Sequence, residues 1–262
     1  MTTSLGIALG LALAASIAAA SGGGSGSVRQ ENLSSLSRRR ILFGHQSVGA
    51  DILDGVARAG VPGVKVVEVR GPTALEPGSF GHGWVAENHK PLLKLESFEK
   101  LLAATSSTPP DIAFLKLCFV DFEPGTDSAA LFRAYQEKMS ELARRHPSTT
   151  FVHLTVPLTV IQSGPKAWAK KLLGRHPYGL VENLRRDEFN ALMRAAYQGK
   201  APLFDLARLE STTAGGQALE VEFQGQRIPV LDPAITHDGS HLNDAGQDRF
   251  ARALLGYLAS LP

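Results

Sequence analysis

Two short stretches near opposite ends of the chain concentrate side chains able to attack a carbonyl and move a proton. The first is Gly44-His45-Gln46-Ser47-Val48-Gly49, and the second is Thr236-His237-Asp238-Gly239-Ser240-His241-Leu242-Asn243. Asp238 and His241 stand three apart, so within one loop a carboxylate can hold one imidazole nitrogen while the other faces a nucleophile. Ser47 follows a short apolar run and opens an amphipathic stretch, which places it at a strand-to-helix turn. A hydroxyl is exposed there, and N–H groups at a helix start can stabilise an oxyanion. The three residues supply nucleophile, base and orienter for acyl transfer. Each also has an ordinary role open to it. Ser47 can cap its helix, and Asp238 with His241 can cap the last one, although Asn243 or Asp244 is the better cap there and frees Asp238.

Other reactive side chains carry weaker signals. Cys118 follows an apolar run and reads as a small buried hydrophobe. As the only cysteine it forms no intramolecular disulfide. His45, His82, His89, His237 and His241 raise a metal-dependent alternative built on His45, Asp238 and His241, yet no HExxH or Cys/His ligand spacing supports it. Lys166, Lys170, Lys171, Arg175 and His176 cluster around Trp168. They read as a solvated face or as a lid contacting anionic glycan or phospholipid headgroups. Asn183, Arg186 and Asn190, at i, i+3 and i+7, read as a polar outer helix face or as a substrate contact.

The elements that must position these groups alternate. Strands are expected at Arg40–Phe43, Val64–Val69, Ile112–Leu117, Thr150–Thr155 and Pro202–Asp205. Amphipathic helices are expected at Val48–Ala59, Lys90–Ala104, Asp127–Arg145, Val181–Gln198 and Asp244–Ala259. Such alternation argues for an α/β chain whose parallel sheet of about five strands is covered on both faces, a three-layer α/β/α sandwich. Pro157–Pro177 and Ala214–Leu231 break the pattern. The first reads as irregular, and the second holds a hairpin turn at Gln224-Gly225-Gln226. Loops this long tend to be lids or binding elements. No GxGxxG or Walker-type phosphate loop occurs.

The 27 basic and 25 acidic residues of the 262-residue chain all lie from Arg29 onward. A net charge of +2 argues against a nucleic-acid partner, and 44% hydrophobic residues argue against disorder. The uncharged residues 1–28 read as a delivery segment. Leu5 to Ala20 has Ser16 as its only polar side chain and falls short of the roughly 20 residues of a bilayer span. Small residues then precede the flexible linker Ser21–Ser27. The expectation is export to the periplasm or the extracellular space, the segment being either cleaved as a signal or kept as an anchor. Residues 29–262 are expected to form one domain.

Ser47 just after the first strand, and Asp238 and His241 just before a terminal helix, resemble the SGNH (GDSL-like) hydrolase superfamily. The likeness runs from Ile41 to Leu258, with His45-Gln46-Ser47 where the family reads GDS. It implies a flavodoxin-like sheet and a cofactor-free serine ester hydrolase or acyl transferase, with Ser47, Asp238 and His241 catalytic. The family's third block, Gly-x-Asn-Asp, supplies an oxyanion donor. The matching stretch here is Cys118-Phe119-Val120-Asp121, with Val120 in place of the Asn. The resemblance therefore implies an oxyanion held by the Ser47 N–H with Gly83 or Asn88. The expected substrates are acyl esters, export and the lack of a large apolar lid favouring O-acyl groups of envelope or extracellular carbohydrate. An inactive glycan-binding relative stands as the alternative.

Overall fold

The computed structural model describes residues 33–262. The expected delivery segment lies outside the described residues. Among the described residues, no helix is long and apolar enough to cross a membrane.

Six parallel strands form the central sheet: β1 (Ile41–His45), β2 (Lys65–Glu68), β3 (Ser79–Trp84), β4 (Ile112–Leu115), β5 (Thr150–Leu154) and β6 (Leu203–Phe204). Their order is β2-β3-β1-β4-β5-β6. β1 lies between β3 and β4, and every residue in it is buried. That explains why its sequence is a continuous apolar run rather than an alternation. Successive side chains point to opposite faces, so Ile41 and Phe43 enter one core while Leu42 enters the other.

The helices are α1 (Ser47–Ala59), α2 (Pro91–Ala104), α3 (Ser128–Arg145), α4 (Gly164–Leu172), α5 (Leu180–Tyr197), α6 (Leu206–Glu210) and α7 (Asp244–Ala259). α1 and α7 cover one face through Ile52, Val56, Phe250 and Leu254. α2, α3 and α5 cover the other through Phe98, Tyr135 and Phe189. Each such side chain, buried at helical spacing, contributes roughly 1.5–3 kcal/mol. α1 and α7 come close because Gly55 has no side chain; a Cβ there would stand 2.3 Å from the Gln247 carbonyl oxygen.

The three-layer α/β/α sandwich is as the sequence pattern implies, but the strand count is six rather than about five. β3 is the additional strand, inserted between β2 and β1; without it the order is flavodoxin-like. Its sequence, SFGHGW, lacks the β-branched run that marks a strand. Its glycines serve packing, since a Cβ at Gly81 would lie 2.8 Å from Leu75 Cδ2 and one at Gly83 2.4 Å from Leu101 Cδ1. The stretch expected to be irregular, Pro157–Pro177, contains α4. The expected hairpin pairs β7 (Glu220–Phe223) with β8 (Gln226–Pro229). Its two-residue turn puts Gln224 and Gly225 at φ 51° and 75°, the left-handed geometry of a tight hairpin loop.

Candidate active site

The carboxyl ends of β1, β3 and β4 converge on one rim, where open parallel sheets bind ligands. Ser47 is the first residue of α1, directly beyond β1. Its own N–H lies among the helix-start donors that have no intrahelical acceptor. The sharp turn is held by Gln46, whose Nε2 donates to the carbonyls of Val85 and Ala86 and ties β1 to the loop after β3. Gly49 is required next to it, because a Cβ there would stand 2.3 Å from His45 Cβ.

His241 reaches Ser47 from the loop before α7. Its Nε2 lies 2.9 Å from Ser47 Oγ, and its Nδ1 lies 2.6 Å from Asp238 Oδ2. The other carboxylate oxygen, Oδ1, accepts the N–H groups of Ser240 and His241, both at 2.8 Å, and the Ser240 hydroxyl at 3.0 Å. Partial burial alone would raise the Asp238 carboxyl. The hydrogen bonds from His241 and Ser240 outweigh it and hold the group well below the usual carboxylate range. An acceptor that stays ionised fixes the imidazole with Nδ1 protonated and Nε2 free to accept from Ser47.

The loop itself is tightly drawn. The Thr236 hydroxyl donates to the His241 carbonyl at 2.6 Å and accepts the Gly239 N–H at 2.9 Å. Gly239 sits at φ 90°, a conformation that favours glycine, and a Cβ there would come within 2.6 Å of Val160 Cγ2. Asp51, one turn after Ser47 on α1, accepts the Leu242 N–H at 3.0 Å and so joins the His241 loop to the Ser47 helix. The ring of Phe119 meets the His241 imidazole edge-on, with centroids 5.7 Å apart.

The two residues considered as oxyanion donors part company. Gly83 lies within β3, opposite Gly44 in the ladder and against Leu101. The absence of a side chain there serves sheet pairing and helix packing. Asn88 is exposed in the loop after β3, and its Oδ1 accepts from Lys94 Nζ at 3.2 Å. An ammonium can only donate, so the carbonyl of Asn88 is fixed toward Lys94 and its Nδ2 is left to donate. Lys94 is itself fully buried in an ion pair with Asp121 at 2.7 Å. Asp121 also accepts the N–H groups of His89 at 3.0 Å and Cys118 at 2.8 Å, stitching the loops after β3 and β4 together. Val120 stands in that second loop, lining an open cleft of about 350 Å³ with Leu92, Leu131 and Ala134.

Other polar residues do structural work that the sequence reading missed. His45 is not gathered with Asp238 and His241. Its Nδ1 faces the Gln46 carbonyl and its Nε2 accepts from His82 Nδ1 at 2.9 Å. Burial pushes His45 down to about 3 and His82 in the same direction, so both rings are neutral at physiological pH. Among the described residues, no three His, Cys, Asp or Glu side chains cluster as metal ligands.

Asn183, Arg186 and Asn190 are fully buried rather than on an outer face. Asn190 pairs with both backbone groups of Val156, Asn183 with both of Thr159, and Arg186 Nε donates to the Phe119 carbonyl at 3.0 Å. These side chains replace the ladder partners that the loop beyond β5 has lost. Beneath them lie Lys116 and Glu210, also fully buried. Burial pushes the Glu210 carboxyl up to about 8 and the Lys116 ammonium down.

No family model matches the chain, and no curated protein matches it. Solved structures are similar in fold. One, from Streptococcus pneumonia and named for platelet activating factor, is 18% identical, with 88% of this chain and 92% of that chain covered and a TM-score of 0.50. A GDSL-like lipase from Bacteroides thetaiotaomicron is 13% identical, with 83% and 86% covered and a TM-score of 0.50. The α/β architecture is that of the GDSL-like lipase structure.

Proposed function

We propose that the protein is a divergent SGNH-type serine hydrolase or acyl transferase acting on acyl esters. The observation that carries this reading is the continuous hydrogen-bonded chain from Ser47 Oγ through His241 to Asp238. Ser47 Oγ attacks the acyl carbonyl as His241 Nε2 takes its proton, and Asp238 stabilises the resulting imidazolium. The oxyanion is held by the Ser47 N–H and Asn88 Nδ2. Collapse expels the alcohol, which receives the proton from His241 and leaves an acyl-Ser47. Water, or an acceptor hydroxyl in a transferase, then gives its proton to His241 and releases the acyl group.

Export of the chain, inferred from the uncharged head, points to O-acyl groups of envelope or extracellular carbohydrate. One observation favours a second reading, an inactive glycan-binding relative: Val120 stands where the family carries its donor Asn. A fluorophosphonate probe separates the two. It should label the wild type at Ser47 and leave Ser47→Ala unlabelled. No labelling, together with no turnover of p-nitrophenyl acetate, would sink the hydrolase reading.

A further inference from the structure

The excursion between β5 and α5 carries an amphipathic helix whose apolar side faces outward. Within α4 the buried residue is Ala167, whereas Trp168 and Leu172 are 65% and 66% exposed, and Leu173, just past its end, is 73% exposed. At 3.6 residues per turn, Trp168, Leu172, Pro165, Ala169 and Leu173 share an arc of roughly 140° on the side away from Ala167. Lys166 and Lys170 border one edge of that arc and Lys171 the other. From Ser163 to Val181 the chain has four Lys and Arg residues, the fourth being Arg175, and no Asp or Glu. Large exposed apolar side chains rimmed by charge of one sign mark an interaction surface. Soluble helices turn such an arc toward the core.

The excursion is rooted beside the His241 loop. The Val160 N–H donates to the Gly239 carbonyl at 2.9 Å, and the Gln162 N–H closes its base on the Tyr178 carbonyl at 2.9 Å. Because it leaves the carboxyl end of β5, α4 stands at the same rim as Ser47.

We propose that α4 is an interfacial anchor that seats this rim on an anionic lipid bilayer. Trp168, Leu172 and Leu173 enter the boundary between headgroups and acyl chains. Lys166, Lys170, Lys171 and Arg175 meet lipid phosphates. Trp and Leu on one face with Lys and Arg at its edges is the composition that binds such an interface. Unpaired leucines give a glycan no polar partner, whereas acyl chains accept them. The site thereby faces esters presented at a membrane surface, and membrane contact is not confined to the N-terminal segment. The inference stands whether or not Ser47 is a nucleophile.

The test uses the full chain and vesicles of phosphatidylcholine, with or without about one-third phosphatidylglycerol. The apolar head can bind lipid by itself, so the readout is Trp168 rather than flotation. Quenching by bromine-labelled acyl chains, compared between wild type and W168F, isolates Trp168 from Trp84. Trp168 should be quenched in anionic vesicles and much less in phosphatidylcholine alone. The triple variant K166Q/K170Q/K171Q should weaken the effect on the order of a hundredfold, at about fivefold per cation. Salt on the order of 0.5 M should act in the same direction. Turnover of soluble p-nitrophenyl acetate should not change in the triple variant, so a failed vesicle result and a failed hydrolase reading remain distinct. Absence of Trp168 quenching in anionic vesicles would overturn the proposal. So would equal quenching with and without phosphatidylglycerol, or shielding of Trp168 by a soluble anionic polysaccharide but not by vesicles.

Discussion

Replacing Asp238 by Asn changes one atom and should reverse the proton logic of the site. The two carboxylate oxygens have different tasks: Oδ1 accepts two backbone N–H groups and a hydroxyl, while Oδ2 faces His241 Nδ1. In the variant, the side-chain carbonyl must occupy the Oδ1 position, because an amide NH2 there would point at two donors. The NH2 is therefore forced toward His241 Nδ1, which becomes an acceptor. The ring proton moves to Nε2, which then donates toward Ser47 and can no longer take its proton. A base in the wrong tautomer lowers kcat by ~10⁴-fold, about 5.5 kcal/mol in the barrier. Three of the four hydrogen bonds to Asp238 survive, so the melting temperature should stay near that of the wild type. The assay is steady-state turnover of p-nitrophenyl acetate alongside the rate of fluorophosphonate labelling. Activity within about tenfold of wild type, in a protein that melts normally, would refute the assignment of His241 as base held by Asp238.

Asn88→Ala should lower kcat by ~10²–10³-fold with little change in KM, since an oxyanion donor acts in the transition state; a fall in KM-limited rate alone would speak against it. Lys94→Met leaves the Asp121 carboxylate buried without its cation and should destabilise the fold by about 3–5 kcal/mol in urea titrations. Lys94→Met combined with Asp121→Leu should recover part of that loss. Glu210 sets a pH dependence of stability. Its folded pKa of about 8 lies above the ordinary carboxylate value, so between about 4.5 and 8 the folded state binds more protons than the unfolded state. Its contribution is full below about 4.5 and is lost as pH rises through 8. Glu210→Gln should therefore flatten the decline in melting temperature over that window, and an unchanged slope would show that burial does not hold the carboxyl neutral.

The layers of the fold were legible because periodicity reports burial. Arg40–Phe43 and Ile112–Leu117 read as strands from their apolar runs, and α3 read as a helix from Leu131, Tyr135, Met139 and Leu142 on one face. β3 was not legible, because its glycines answer to Leu75 in the preceding loop and Leu101 on α2. Asn183, Arg186 and Asn190 were placed at the right spacing and on the wrong side. Polar side chains at i, i+3 and i+7 cannot announce that they face inward unless the unpaired backbone of the loop beyond β5 is known to wait for them. Ser47, Asp238 and His241 could be picked out by chemistry, but the Lys94–Asp121 pair that fixes Asn88 required the tertiary structure.

A contact of 2.9 Å between residues 194 positions apart cannot be set by local propensity. Its tolerance is narrow, since a proton-transfer pair fails once the heavy atoms exceed hydrogen-bond reach. The chain meets that demand by referring His241 to the helix that carries Ser47. Leu242, the next residue, hangs its N–H on Asp51, one turn along α1, and α7 then locks against α1 where Gly55 admits Gln247. Val160 supports the loop from the other side at Gly239, so His241 is bracketed by β1–α1 and by the strand end that leads to α4. A force applied at α4 would thus be felt first at Gly239, next to Asp238, rather than at Ser47. Ser47 stays with the sheet, and Asp238 borders an excursion that presents Trp168, Leu172 and Leu173 to its surroundings.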